Sequence, residues 1–247
     1  MTSEELFPWT DRVSTIEFSN QFGVDQLRAL NDMFLFTFSD MRVKSNRGYL
    51  NGDISFLTSL RVLKVVYMVG STLTLPSNLV SLWLDMYSHD ATVSGTENLT
   101  LLKVESKGFS ITPCPNLRAL EWHGTHISKS VPFPWESMTA LSALTLFASH
   151  VDSDFQFPTN LTKMNLWVKD QHFDIATLTP LTRLQILQID VNNTPIDLSG
   201  LVSLTSLFTD NRVSHLPASL VTCEIHVGSD VDFSGQTNLT DLQVKLH

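Results

Sequence analysis

The sequence predicts a solenoid of the α/β type, one domain over residues 1–247, with a parallel β-sheet on a concave face and irregular or short helical returns on a convex one. Three observations predict it: an apolar phrase that recurs along the chain, a mean step between copies of about 20 residues, and apolar–polar alternation in the second half of each copy. The clearest copies are Leu79-x-x-Leu82-x-Leu84, Leu99-x-x-Leu102-x-Val104, Leu117-x-x-Leu120-x-Trp122, Leu141-x-x-Leu144-x-Leu146 and Leu161-x-x-Met164-x-Leu166. Looser copies begin at Val13, Met33, Leu60, Leu184, Leu204, Leu220 and Leu239, making twelve starts.

The last two apolar positions of each copy alternate with polar ones, as a half-buried strand requires, so each unit reads as a strand followed by a return. One such unit cannot bury its apolar side alone, but stacked neighbours share a continuous core. The returns fall into two kinds. Triplet runs such as Leu57-x-x-Leu60-x-x-Leu63, and the longer ones that start at Leu178 and Leu198, suit a helical turn feeding a strand. Leu75-Pro76, Phe157-Pro158 and Leu216-Pro217 enter the phrase through proline, which fixes φ and removes a donor and so favours an extended return.

Phrase and period together resemble the leucine-rich repeat, over about nine-tenths of the chain by its period. The proline-entered units look like those of bacterial effector proteins and of repeat proteins from single-celled eukaryotes. In that family an asparagine three residues after the last leucine satisfies backbone groups between neighbouring turns. Here the position reads Met68, Tyr87, Lys107, Thr125, Ser149, Lys169, Asn192 and Arg212, of which Asn192 alone matches. Buried backbone groups still need partners, so Ser, Thr or water must take over, or the convex turns are less regular than usual.

With 43% hydrophobic and 17% charged residues the chain can bury a large core, and the continuous repeat overrides the two domains its length suggests. No run of eighteen apolar residues occurs, so no membrane span is expected. The start, Met1 to Trp9, lacks a basic segment followed by an apolar one, and the two cysteines, Cys114 and Cys223, stand far apart. Both point to a reducing, cytoplasmic setting. Sequons at Asn98, Asn160, Asn192 and Asn238 read as by-products of the repeat, three of them being Asn-Leu-Thr. A net charge of -9 argues against a nucleic-acid partner, which needs clustered Lys and Arg.

Two insertions interrupt the period. Residues 42–56, with Arg42, Lys44 and Arg47, read as a surface loop, and so do residues 128–137, with Pro132, Pro134 and Trp135.

Equivalent positions of parallel strands about 4.8 Å apart form ladders along the sheet. The residue between the last two apolar positions, and the one just after them, are expected to face solvent on the concave side. They include Trp83, Asp85, Glu105, Glu121, His123, Phe147, Trp167, Asp190, Phe208 and Asp210, the candidate partner-binding residues. Large aromatics anchor interfaces and carboxylates orient a partner, so the expected partner is a protein or peptide with a basic, partly apolar surface. The alternative is that each ring merely covers its neighbours in the sheet.

The expected function is a non-catalytic interaction scaffold without cofactor. The second reading is a docking region of a larger signalling protein whose catalytic domain lies elsewhere. The third is a metal-dependent enzyme, for which the chain offers no Gly-x-Ser-x-Gly, no His-Glu-x-x-His and no phosphate-cradling glycine loop. His126 and His150 fall at the same point after successive strands, with His89 and His172 near it in other units. They read as solvated turn histidines, and no metal ligands are assigned. The last copy, from Leu239, leaves no room for a cap before His247, which suggests self-association through an open edge or a cut from a longer chain.

Overall fold

The computed structural model describes residues 14–18, 24–34, 40–45, 52–68, 72–86, 91–106, 109–127, 133–191, 195–226, 231 and 233–245. Contacts gather the chain into two compact units, residues 1–124 with 130–140 (unit 1) and residues 125–129 with 141–247 (unit 2). Unit 1 runs β1 (Ser14–Phe18), α1 (Val24–Phe34), β2 (Asp40–Ser45), β3 (Gly52–Asp53), β4 (Val62–Met68), β5 (Thr72–Thr74), β6 (Ser81–Met86), β7 (Ala91–Ser94), β8 (Leu101–Glu105), β9 (Phe109–Ile111) and β10 (Ala119–His123). Unit 2 runs β11 (His126–Ile127), β12 (Ala143–Ala148), β13 (His150–Val151), β14 (Lys163–Val168), β15 (Ile186–Val191), β16 (Ile196–Asp197), β17 (Ser206–Thr209), β18 (Val213–His215), β19 (Thr222–His226) and β20 (Asp241–Lys245).

In unit 1, strands β1-β2-β4-β6-β8-β10 form a parallel ladder, with a second row β3-β5-β7-β9 on the returns. In unit 2 the ladder is β12-β14-β15-β17-β19-β20, and the returns pair as β11-β13 and β16-β18. The repeated phrase sets this register. Leu82, Leu102 and Leu120 are Cα partners, and so are Leu84, Val104 and Trp122. All six are buried, as are Leu144 and Leu146, Met164 and Leu166, and Leu187 and Ile189 in unit 2.

The first leucine of each phrase turns the chain into its strand. Its N–H bonds the carbonyl three residues back at Leu60, Leu99, Leu117, Leu184 and Leu204, and equally behind proline at Leu79, Leu161 and Leu220. Both kinds of return therefore converge on one tight turn. The triplet runs are chains of such turns: Leu201 N–H bonds Leu198 O and Leu204 N–H bonds Leu201 O. Among the described residues 3₁₀ turns form at Trp135–Ser137 and at Ile175–Leu178, the latter capped by the Asp174 carboxylate, which accepts from Ala176 N–H. Gly95, at φ 78°, lies so close to the preceding coil that a Cβ there would meet Leu75 O at 2.6 Å.

The missing asparagine ladder lies elsewhere in the repeat. Asn78, Asn98, Asn116 and Asn238, each just before the first leucine, donate their amides to Thr58 O, Ser77 O, Glu97 O and Ala218 O of the preceding coil. Just after that leucine, Thr100, Thr162 and Thr240 donate their hydroxyls to Val80 O, Ser142 O and Val221 O. The Asn-Leu-Thr tripeptides thus bind one coil to the last. Asn211, buried, holds both the N–H and the C=O of Val191 with its amide, a position away from where the family pattern looks for it. Asn192 lies outside the described residues.

Three features differ from expectation. Residues 24–34 form a helix, which the repeat pattern did not foretell; Leu27 is buried, and Arg28 sits 4.3 Å over the Phe56 ring. Residues 42–56 are not simply a loop: Arg42 stands in β2, Gly52 and Asp53 form β3, and Ile54 is fully buried. Lys44 has its backbone in β2, while Arg47 lies outside the described residues. Of the insertion at 128–137, residues 128–132, with Pro132, lie outside the described residues, and residues 133–137 are not a surface excursion, because Phe133 and Trp135 cover a tryptophan standing where the phrase normally has leucine. Trp122 is buried under Phe133 (ring centroids 4.6 Å apart) and Trp135 (5.5 Å, stacked). Gly124 leaves space for that indole, since a Cβ there would fall 2.7 Å from Trp122 Nε1.

Candidate functional site

Strand order places the candidate residues in rows. On the strand face of unit 1, Trp83, Lys103 and Glu121 are Cα partners, and beside them run Asp85, Glu105 and His123. Side-chain packing then closes this patch on itself. Lys64 Nζ lies 2.8 Å from the centre of the Trp83 ring and Lys103 Nζ 4.5 Å, so the indole is clasped by two ammonium groups. Lys103 reaches Glu121 Oε1 at 2.6 Å and Glu105 at 3.8 Å, while His123 Nε2 bonds Glu121 Oε1 at 2.8 Å.

Glu121 therefore does not face solvent, as its strand position implied: it is 0% exposed and Lys103 only 9%. The cause is charge pairing within the sheet, which draws the carboxylate under its neighbours. Burial raises its carboxyl, but the hydrogen bonds of His123 and Lys103 and the Lys103 charge outweigh this and hold it below its usual value. Asp85 is half-buried and raised, first by burial and then by the Glu105 charge. Burial and the charges of Arg42 and Lys103 depress the Lys64 amine to about 8. For Trp83, Glu105, Glu121 and His123 the structure favours mutual cover within the sheet.

Unit 2 is more open. Phe147 and Trp167 are Cα partners on β12 and β14, and their rings stack 4.3 Å apart at 4°. Trp167 pairs with Asp190 in register, and Gln188 with Phe208. Trp167, Asp190, Phe208 and Asp210 line a hollow of about 250 Å³, which Gln188 and Glu224 complete. Phe208 is 36% exposed, and Asp190 and Asp210 are exposed as expected. Desolvation, then the Asp210 charge, raises the Asp190 carboxyl. The row is not uniform, however, since Thr145, in register with Phe208 through Asn165 and Gln188, is buried. On β20, Leu242 and Val244 are exposed, whereas their partners Cys223 and Ile225 on β19 are buried.

A second cluster lies on the returns of unit 2. β11 pairs with β13 so that His126 and His150 are Cα partners, their rings 4.9 Å apart and edge to face. Asp152 Oδ1 lies 2.7 Å from His126 Nε2 and 3.2 Å from His150 Nε2. The His150 Nδ1 meets Asp170 Oδ2, and Asp170 Oδ1 accepts the His172 N–H at 2.9 Å. A hydrogen bond from His126 holds Asp152 below the usual carboxylate range, and the His172 backbone N–H does the same for Asp170. His172 itself is exposed, as a turn histidine should be, and His89 lies outside the described residues. The histidine spacing was visible in the sequence; the carboxylates that join it were the missing signal.

Cys114 and Cys223 are both buried as free thiols, raised by burial, Cys223 to about 11. Neither is a poised nucleophile. Among the described residues no helix is long and apolar enough to cross a membrane.

No family model matches the chain, and no curated protein matches it. Among solved structures it is similar to an internalin of Listeria monocytogenes, at 17% identity over 83% of this chain and 67% of that one, with a TM-score of 0.43. It is also similar to CroV588, described as a novel circular LRR protein, at 14% identity over 95% of this chain, with a TM-score of 0.39; the chain spans 50% of that protein's length. The chain's own geometry decides the fold: the Leu-x-x-Leu-x-Leu phrase lies in parallel strands, its leucines stacked in register over a shared core. The fold is a parallel-strand solenoid of the leucine-rich-repeat type. In unit 2 outward strand positions form the aromatic and acidic hollow.

Proposed function

We propose that the protein is a non-catalytic interaction scaffold whose unit 2 strand face binds a protein or peptide with a basic, partly apolar surface. The observation that carries this is the hollow between Trp167 and Phe208, rimmed by Asp190, Asp210 and Glu224. Aromatic faces and carboxylates around one opening suit the guanidinium or ammonium group of an Arg or Lys side chain, with its methylene stem lying along the rings. A cation entering would also relieve the mutual repulsion of Asp190 and Asp210. The Phe147–Trp167 stack extends the apolar surface beside it, giving a partner a dry contact next to its charged anchor. The unit 1 patch, where Lys64 lies over Trp83 and Glu121 Oε1 takes both Lys103 and His123, is secondary in this reading.

The test is fluorescence anisotropy with a panel of labelled peptides that contain Arg or Lys beside an aromatic residue. Wild type is compared with the Asp190→Asn/Asp210→Asn pair and with Trp167→Ala, circular dichroism checking each fold. Binding that is salt-dependent and at least tenfold weaker in both variants supports the proposal. Peptide binding that neither substitution alters overturns it.

A further inference from the structure

We propose that His126, His150 and Asp152 form a binding site for a divalent transition-metal ion of the zinc type on the returns of unit 2. Two imidazole nitrogens and one carboxylate oxygen lie within 4.8 Å of one another, a donor set that zinc and its neighbours accept. A zinc ion about 2.0–2.1 Å from each donor needs them roughly 3.3 Å apart in tetrahedral geometry. The 2.7 and 3.2 Å separations fall just inside that, so modest side-chain rotations open the site. Both histidines are about half exposed, at 52% and 49% of their side chains, so each has open solvent on one side to rotate into.

The backbone under the cluster is tied down. His150 N–H bonds Thr125 O at 3.0 Å and Asp152 N–H bonds Ile127 O at 2.9 Å, so the two return strands present their side chains at a fixed register. Asp170 supplies an independent observation. It holds the Nδ1 edge of His150, the nitrogen turned away from the cluster, and is itself held by the His172 backbone N–H. A carboxylate on the far nitrogen of a ligating histidine fixes its tautomer and ring orientation, leaving Nε2 to face the metal. Solvent completes the coordination on the open side. The site joins the coil that carries His126 to the one that carries His150 and Asp152, so the ion would act as a clip between neighbouring turns.

Isothermal titration of zinc chloride into the full chain is expected to show one bound equivalent. Cobalt(II) should give the strong visible absorption of four-coordinate nitrogen–oxygen ligation. His126→Ala with His150→Ala should abolish both signals while the circular dichroism spectrum persists. Asp170→Asn, which leaves every ligand in place, should keep the stoichiometry at one and weaken affinity about 10–100-fold, as loss of an orienting carboxylate does elsewhere. The proposal is overturned if the full chain binds no stoichiometric zinc, or if the folded double-alanine variant binds it as well as wild type; unchanged affinity in Asp170→Asn would remove Asp170 from the design.

Discussion

Replacing Glu121 by glutamine is expected to destabilise unit 1 by about 3 kcal/mol at neutral pH, the low end of the cost of breaking a buried ion pair from one side. The structure sets that figure. Glu121 is fully buried, and Lys103, its partner at 2.6 Å, keeps only 11% of its side chain in water. Glutamine has nearly the same shape but no charge, so the Lys103 ammonium is left with Glu105 at 3.8 Å as its remaining carboxylate, which spares part of the full penalty. In urea denaturation followed by circular dichroism, about 3 kcal/mol moves the midpoint down by roughly 1 M for a chain of this size. The pH dependence has a definite sign. The carboxyl lies below its ordinary 4.5 in the folded state, so its contribution is complete above about that pH and is lost as pH falls through the folded value. Wild type and Glu121→Gln should therefore converge in acid. Changing both partners, Lys103→Met with Glu121→Leu, should recover most of the loss, because a well-packed apolar pair removes both desolvation costs. A single variant within about 0.5 kcal/mol of wild type, well under a broken buried pair, would refute the reasoning, as would a double variant no better than the single.

Gly95→Ala should cost about 2 kcal/mol or more, since it combines a positive φ with a Cβ 2.6 Å from the Leu75 carbonyl, and a thermal melt reads it directly. Trp135→Ala should cost about 3 kcal/mol and flatten the near-ultraviolet dichroism, because Trp122 loses the ring stacked on it. The Lys64 amine should titrate near pH 8 by NMR. The unfolded chain then holds more protons than the folded one between about 8 and the ordinary 10.5, so Lys64 makes stability rise with pH across that window; a midpoint above 10 would contradict its burial beside the Arg42 and Lys103 charges.

The sequence revealed strands and register because the buried side of a strand is written in leucine, and leucine at Leu82, Leu102 and Leu120 has one place to go. Outward positions carry a weaker message. Trp83, Glu121 and Phe208 occupy the same row type, yet Glu121 is buried between Lys103 and His123 while Phe208 opens on the hollow; which neighbour holds the opposite charge decides the outcome, not the position. The leucine-rich-repeat pattern places its asparagine after the strand, but here the bonding between coils is done at the strand entrance by Asn-Leu-Thr, visible in the sequence as a repeated sequon. Residues 128–137 looked like a loop because prolines punctuate them, whereas the need to cover an oversized Trp122 made their aromatics part of the core.

The stacking register has a consequence for how such a chain can change. Leu79, Leu99 and Leu117 are separated by 20 and 18 residues, and Leu161, Leu184, Leu204, Leu220 and Leu239 by 23, 20, 16 and 19, yet their strands stay aligned. The molecule keeps time by its strands and lets the beats between them stretch. A return can gain or lose several residues, acquire a helix or, as at His126 and His150, collect a new set of donor atoms, while each side chain on the strand face keeps its neighbours. The two surfaces can therefore be edited separately, by selection or by design, with the shared leucine core insulating one from the other.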